Sequence, residues 1–249
     1  MLRGYYTAAN GMINEQRILN VITNNLANVK TAGYRNDEAI PTTFAEELLL
    51  INSRHSNTGT IRYRTIEYTF TDLEQGTFEN TGSRLDIALV GNVYFNIEER
   101  RTGERLLSRN GQFTINGEGY LTLGSSGYVL DENGERIQLG TADFQVNRFG
   151  QITVDDGRVF NLGLSYIAGG TDIEKVDDNL MRPYEETPIG NIPERYRVMQ
   201  GWFERSNVDV AEETIKAMDA QHVFTACSTA LKIMNSINQI AANDLAKIN

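Results

Sequence analysis

The sequence has few of the residues on which catalysis and covalent stabilisation usually depend. Among its 249 residues there is one cysteine, Cys227, and there are two histidines, His55 and His222. A single cysteine excludes both an intramolecular disulfide and a cysteine-based zinc cluster. Neither histidine stands in a recognisable motif with a nucleophile. We therefore expect no metal, no cofactor and no catalytic site built on these side chains.

Basic residues and long apolar runs are also scarce. The chain carries 23 Lys and Arg against 33 Asp and Glu, a formal net charge of −10, which disfavours nucleic acid and anionic lipid as partners. No run approaches the roughly 18 apolar residues of a membrane-spanning helix, and polar residues interrupt positions 5–22, where a cleaved signal peptide would be apolar. We expect neither membrane insertion nor a cleaved export signal.

Proline is nearly absent from the middle of the chain, where glycines recur. Apolar and polar residues alternate there in short runs, as at positions 112–115. Asn110-Gly111 and Asp156-Gly157 are typical of tight hairpin turns in which glycine takes a positive φ. This pattern predicts a β-rich domain over residues 36–182. The prolines Pro183, Pro188 and Pro193 then indicate an extended linker over 183–208.

The N-terminal region predicts a helix with a narrow apolar seam that ends near Gly33. Residues 1–35 are therefore expected to form an assembly helix and a signature loop. The seam has alternating spacings of three and four, and its members are Leu2, Tyr5, Ala9, Met12, Gln16, Leu19, Thr23 and Leu26. This spacing is typical of one strand of a coiled coil.

The C-terminal region predicts a second helix over 209–249, with Asp209 and Glu212 arranged as a capping box at its start. Its seam comprises Ala220, Val223, Cys227, Ala230, Met234, Ile237, Ala241, Asp244 and Ile248. At 1.5 Å per residue the helix would run for roughly 50–60 Å, so it needs a partner along its length. We interpret Cys227 as a small packing residue in this seam.

The fold class expected from these elements is α+β, with long terminal helices pairing as a coiled coil and a β-rich domain between them. The two seams can pair within one chain as a helical hairpin. Both are rich in small and polar residues that bury little apolar area, so further copies of the chain could supply additional burial. Both arrangements remain open on the sequence alone.

Two other function classes also remain open. Asp155 and Asp156 could act as the carboxylates of a hydrolase, although their position beside Gly157 favours a turn. The middle region could instead be a secreted β-domain that binds a ligand or a surface. Loss of activity on replacing either aspartate would favour the first class, and a patch of exposed aromatic residues would favour the second.

One segment carries a specific resemblance. The run from Asn24 to Arg35 resembles the amino-terminal signature of the flagellar rod and hook family: two asparagines, Leu-Ala-Asn, and a Thr-x-Gly-aromatic step. The segment 200–209 resembles the step that opens the family's terminal helix, and Leu85 to Gly91 and Ser108 to Phe113 also agree in order. The signature positions are Asn24, Asn25, Leu26, Ala27, Asn28, Gly33, Tyr34, Ser206, Asn207 and Val208.

The resemblance implies a non-enzymatic, structural subunit of the bacterial flagellar basal-body rod. Such subunits leave unfolded through the flagellar type III export apparatus and polymerise into a helical tube that transmits torque from motor to hook. Their partners are further copies and neighbouring rod or hook subunits. His222, Thr225 and Cys227 depart from the family pattern, and the sequence does not separate the proximal from the distal rod type. The assembly interface is predicted at Leu2, Tyr5, Met12, Leu19, Leu26, Val223, Cys227, Met234 and Ile237.

Overall fold

A computed structural model describes residues 2–43, 64–167, 173–177, 179–183 and 196–246. In these ranges the chain is α+β, as the sequence predicts, with a long helix near each end and strands between them. None of the helices in the described ranges combines the length and the apolar character that crossing a bilayer requires. The chain separates into two compact units.

The first unit, called the helix unit below, comprises Met1–Ala27, Asp37–Asp72 and Asp209–Asn249. Its described elements are helix α1 (Leu2–Ala27), strands β1 (Asp37–Thr43) and β2 (Arg64–Thr71), and helix α2 (Val210–Ala246). The two strands pair antiparallel, and their register shifts between Ile40 and Pro41. Proline has no N–H to contribute to a ladder, which explains the irregularity there.

The helix ends follow local side-chain chemistry. Asp209 precedes α2, and its Oδ1 accepts hydrogen bonds from the backbone N–H groups of Ala211 (2.8 Å) and Glu212 (3.3 Å), as expected of an N-cap. At the other end of the chain, α1 stops at Ala27, earlier than the predicted end near Gly33. The residues between form turns, and Gly33 has the expected positive φ of 69°.

The second unit, called the β unit below, comprises Asn28–Asn36 and Leu73–Val208. Its described strands are β3 (Phe78–Asn80), β4 (Ile87–Val90), β5 (Val93–Glu99), β6 (Arg105–Ser108), β7 (Thr114–Ile115), β8 (Leu121–Leu123), β9 (Gly127–Val129), β10 (Phe144–Val146), β11 (Gln151–Val154), β12 (Val159–Asn161), β13 (Leu164–Tyr166), β14 (Ile173–Asp177), β15 (Leu180–Pro183), β16 (Arg197–Gln200) and β17 (Trp202–Glu204).

Most of the strands in the β unit belong to one sheet, ordered β14-β15-β6-β5-β9-β8-β7, with β13 also paired to β5. A smaller sheet has the order β10-β11-β12, and two further pairs join β16 to β4 and β17 to β3. The core of the unit contains Ile87, Phe95 and Phe113, and the two phenylalanine rings meet edge to face with centroids 4.9 Å apart.

The structure distributes some segments differently from the predicted domains. Residues 37–72, which the sequence analysis places in the β-domain, group with the helix unit. The predicted linker 183–208 contains the strands β16 and β17, whereas Pro188 and Pro193 lie outside the described residues. The domain boundaries drawn from the sequence therefore stay a prediction.

Gly111 is required for a reason that the sequence did not indicate. Its φ is not positive, in contrast to Gly157 with a φ of 89°. Instead, its backbone lies against β4: the N–H of Ile87 donates to the carbonyl of Gly111 (2.9 Å), and a β-carbon at Gly111 would overlap the carbonyl oxygen of Ile87. Only a residue without a side chain permits this approach.

We predict that Gly111→Ala lowers the free energy of unfolding of the β unit by roughly 1–3 kcal/mol, because the obstructing atom belongs to the backbone and cannot turn away. Gly117→Ala is the matched control, since a β-carbon there would meet no atom within 4 Å. Urea denaturation followed by fluorescence of the single tryptophan, Trp202, measures both variants. Equal stability of the two variants would contradict this explanation.

Candidate assembly site

The two helices of the helix unit pack against each other in opposite directions. A β-carbon at Gly4 would lie 3.0 Å from Cε of Met234, and one at Gly11 would lie 3.0 Å from Sγ of Cys227. Residue numbers thus rise along α1 as they fall along α2. The absence of side chains at the two glycines brings the longer side chains of α2 close to the backbone of α1.

The contacts recur at a regular interval. Seven residues separate Gly4 from Gly11, and seven separate Met234 from Cys227. Asn25 lies fourteen residues after Gly11 on α1, and Glu213 lies fourteen residues before Cys227 on α2. These two residues are also in contact, since Asn25 Nδ2 donates a hydrogen bond to Oε2 of Glu213 (3.1 Å). The helices therefore keep one register over their shared length, with contacts spaced in multiples of two turns.

The buried stripe of each helix only partly matches the predicted seam. On α1 the buried residues include Ala8 and Ile22, and on α2 they include Ala220. The predicted seam runs one residue away from the contact positions Gly4, Ala8 and Gly11, because glycine gives no apolar signal in the sequence. Small residues recurring every three or four positions, Gly4, Ala8 and Gly11, were the signal available.

The predicted interface residues lie mainly beside this stripe. Met12, Leu19, Leu26, Cys227 and Met234 are half-buried. The remaining three described ones are more exposed, with exposed fractions of 40% for Tyr5, 46% for Val223 and 48% for Ile237. The side chain of Leu2 lies outside the described residues. The role of these residues in assembly stays a prediction.

Helix α2 carries further apolar side chains that are exposed in the single chain. They are Val210, Ile215, Met218, Val223, Ile233, Ile237 and Ile240. In the register set by Gly4 and Met234, the start of α1 at Leu2 lies opposite Ser236. The last ten residues of α2, 237–246, therefore extend about 15 Å beyond the described part of α1.

Asn25 ties together three elements of the helix unit. Its side chain is fully buried, its Nδ2 donates to the carbonyl of Asp37 (2.8 Å), and its Oδ1 accepts from the N–H of Asp37 (3.1 Å). The additional bond to Glu213 links the start of β1 and the first turn of α2 to the end of α1. The Asn25 side chain thus fixes the backbone at the start of β1.

The other signature residues have simpler surroundings. Asn28 Oδ1 accepts from the hydroxyl of Thr31 (2.9 Å), which closes the turn after α1. The Oγ of Ser206 accepts from the N–H of Val208 (3.2 Å), and the side chain of Val208 is buried. Asn24 and Ala27 are exposed.

Within the β unit, the end of the amino-terminal signature meets the carboxyl-terminal signature. The N–H of Gly33 donates to the carbonyl of Glu204 (2.8 Å), and the N–H of Asn36 donates to Oδ1 of Asn207 (2.7 Å). A β-carbon at Gly33 would also collide with the backbone of Asn110. Two segments far apart in sequence thus depend on each other for backbone hydrogen bonds.

A buried ion triad lies at this junction. Arg35 Nη1 lies 2.9 Å from Oε1 of Glu204 as an ion pair, and Glu204 accepts hydrogen bonds from Arg109 Nε at 2.6 Å and from the N–H of Gly76 at 2.8 Å. All three charged side chains are at most 1% exposed. Arg109 also donates to the carbonyls of Val93 and Leu89, so the carboxylate and both guanidinium groups are held by several elements of the β unit.

Two ionisable groups at the triad, Tyr94 and Arg109, have shifted pKa values. Burial raises the pKa of the Tyr94 hydroxyl, against the opposing influence of Arg35 and Arg109, so that the phenol stays protonated at neutral pH. Burial likewise lowers the pKa of Arg109, and the nearby Glu204 carboxylate partly offsets this. The face of the neighbouring Tyr34 ring receives Lys175 Nζ, 3.7 Å from the centroid. The charged side chains at this junction therefore hold neighbouring segments of the β unit together.

The carboxylates considered for hydrolysis occupy a turn. Asp156 Oδ1 accepts from the N–H of Arg158 (3.0 Å), and its Oδ2 accepts from Arg158 Nε (2.6 Å). These bonds hold the pKa of Asp156 below its usual value, and both Asp155 and Asp156 are exposed. Within the described residues, no group of three His, Cys, Asp or Glu side chains could hold a metal ion.

The fold and the signature contacts define a class: a two-unit α+β chain whose terminal helices pack together and whose terminal signature segments are interdependent. The family described as "Flagella basal body rod protein" matches residues 6–35, and the family described as "Flagellar basal body rod FlgEFG protein C-terminal" matches residues 199–245. The matched segments coincide with the signatures and with most of both helices.

Whole-length relatives agree with these matches. The chain is 27% identical to the flagellar basal-body rod protein FlgG of Agrobacterium fabrum, over 98% of this chain and 100% of the relative. It is 27% identical to FlgF of Caulobacter vibrioides, with 98% of each chain covered, and 28% identical to the hook-basal body complex protein FlhO of Bacillus subtilis, with both covered fully. The chain belongs to the flagellar basal-body rod protein family, and its location is the flagellar basal body.

We predict that Glu204→Gln destabilises the β unit by roughly 3–5 kcal/mol, because it leaves two buried guanidinium groups without their anion. The control is Glu79→Gln on the paired strand β3, since Glu79 and Arg205 form an exposed pair at 3.7 Å. We expect the control to change stability by less than about 1 kcal/mol. Urea denaturation followed by Trp202 fluorescence checks both, and a small effect of Glu204→Gln would contradict the structural role of the triad.

Proposed function

We propose that this structural subunit polymerises into a helical tube through its terminal helices, and that it acts without substrate or cofactor. The observation that supports this proposal most directly is the packing of α1 against α2 in the helix unit. The two helices fit each other through glycine and alanine, and α2 still exposes a series of large apolar side chains. Exposed apolar surface of this extent on a helix indicates a protein partner.

We further propose that α1 and α2 pair as an antiparallel coiled coil. The seven-residue recurrence of the contacts at Gly4 and Gly11 supports this geometry, because a heptad repeat keeps one face of each helix towards its partner. Glycine has no side chain to bury at the positions where the helices meet. The helix pair alone therefore buries little apolar area. Neighbouring subunits would supply the burial that the single chain lacks.

The partners that fit this surface are further copies of the chain and other rod or hook subunits. Contacts that build a tube join different faces of successive subunits and do not close as a symmetric dimer. The predicted interface residues beside the intramolecular stripe, such as Leu26 and Ile237, would then meet the helices of neighbours. Many such contacts would make the tube stiff enough to transmit torque passively from motor to hook.

The helices also suit export of the chain in an unfolded state through the flagellar type III apparatus. Segments that bury little apolar surface on their own do not offset the conformational entropy of ordering, and they fold most stably against a partner. We therefore propose that the terminal segments become firmly ordered at the growing end of the rod. Assembly and folding of these segments would be a single coupled step.

Ile237→Asp should prevent incorporation of the subunit into basal bodies while leaving the β unit intact, because it places a charge on an exposed apolar position that would be buried by a neighbour. Leu26→Asp should have the same effect. The measurement is the amount of each variant in basal bodies purified from cells that lack the native subunit, with motility as a second readout.

Gln239→Asp is the matched control, since Gln239 is an exposed polar position of α2 near Ile237. We expect the control to assemble normally. Trp202 fluorescence establishes that each variant retains a folded β unit. Normal incorporation of either Ile237→Asp or Leu26→Asp would refute the proposed interface.

A further inference from the structure

A polar cleft of about 390 Å³ lies wholly within the β unit. Asn96 on β5, Arg105 on β6 and Leu164 on β13 contribute to one side of it, and the β10–β11 turn, together with Tyr196 before β16, contributes to another. This volume is within the range of sites that bind small molecules. The cleft is separate from the assembly surface proposed above.

Asn96 provides a buried donor at this cleft. Its side chain is 2% exposed, and its Oδ1 accepts a hydrogen bond from the hydroxyl of Ser165 at 2.6 Å. Among the described residues, none accepts a hydrogen bond from its Nδ2. This donor has no partner in the described part of the chain and is not fully enclosed, so water or an acceptor atom of a ligand can bind it from the cleft.

The charges of the lining balance. Arg105 donates from Nη2 to the hydroxyl of Ser165 (3.3 Å), and Glu132 accepts from Nδ2 of Asn161 (3.2 Å). One cation and one anion give the lining no net charge, which disfavours a strongly charged ligand. The remaining polar groups include the carboxamides of Gln151 and Asn161, which can each donate and accept. Hydroxyl groups, which also do both, are their natural complement.

An aromatic ring stands at the edge of the cleft on a fixed turn. Phe149 is 65% exposed, which is unusual for so large an apolar side chain. The N–H of Phe149 donates to Oδ1 of Asn147 (2.9 Å), and the hydroxyl of Tyr196 donates to the carbonyl of Phe149 (3.0 Å). Because the turn is already held in place, little further order is needed for the ring to bind an apolar surface.

We propose that this cleft binds a neutral oligosaccharide. A sugar ring has an apolar face of C–H groups and a rim of hydroxyls, which match the Phe149 ring and the carboxamides, respectively. Asn96 Nδ2 would donate to a ring or hydroxyl oxygen, and Gln151 and Asn161 would bind neighbouring hydroxyls. The inference does not depend on polymerisation, so either proposal can fail without the other.

Isothermal titration calorimetry of the full chain with two probes, tetra-N-acetylchitotetraose and cellotetraose, tests this proposal. We expect millimolar or tighter binding of at least one probe, with little dependence on salt because the ligand is uncharged. Phe149→Ala should weaken binding by roughly tenfold or more through loss of the ring contact. Gln151→Ala should also weaken it.

Val159→Ala is the control variant, because Val159 on β12 is exposed and does not line the cleft. It should bind the probe as the native chain does. Failure of both probes to bind at millimolar concentration would overturn the proposal. So would binding that Phe149→Ala leaves unchanged, or a cleft that instead proves to be covered by another subunit in purified basal bodies.

Discussion

The β unit depends on the contact of one carboxylate with two guanidinium groups. Glu204, Arg35 and Arg109 come from the carboxyl-terminal signature, the amino-terminal signature and the hairpin after β6, and all three are buried. A buried ion pair adds little net stability compared with apolar packing, but it strongly penalises any arrangement that separates its members. The triad therefore favours the arrangement in which the two signature segments meet.

The packing of α1 on α2 in the helix unit depends on small residues, which limits the apolar area that a single chain can bury. Gly4 and Gly11 admit Met234 and Cys227 at close range, yet α2 still exposes several large apolar side chains. A β unit held by a buried ion triad and a helix pair with exposed apolar side chains are consistent with the proposed polymerisation. Under the proposed function, the β unit would supply stability and the helix unit would supply association.

Periodicity predicted both helices, the α+β class and the capping role of Asp209, because these features depend on neighbouring residues. The buried face of α1 was not predicted, since glycine contributes no hydrophobic signal although it permits the closest approach. The triad joins Arg35, Arg109 and Glu204 across long sequence separations, which a single sequence does not reveal. The polar cleft of the β unit likewise combines residues from distant strands.

Hydrogen exchange measured by mass spectrometry, on dilute chain and on basal bodies, tests the central claim most directly. The account predicts fast exchange of residues 1–27 and 209–249 in the dilute chain, protection of the same residues in the assembly, and protection of the β unit in both. Protection of both terminal segments already in the dilute chain would contradict it. The helix pair would then be a preformed element, and assembly would not be coupled to its folding.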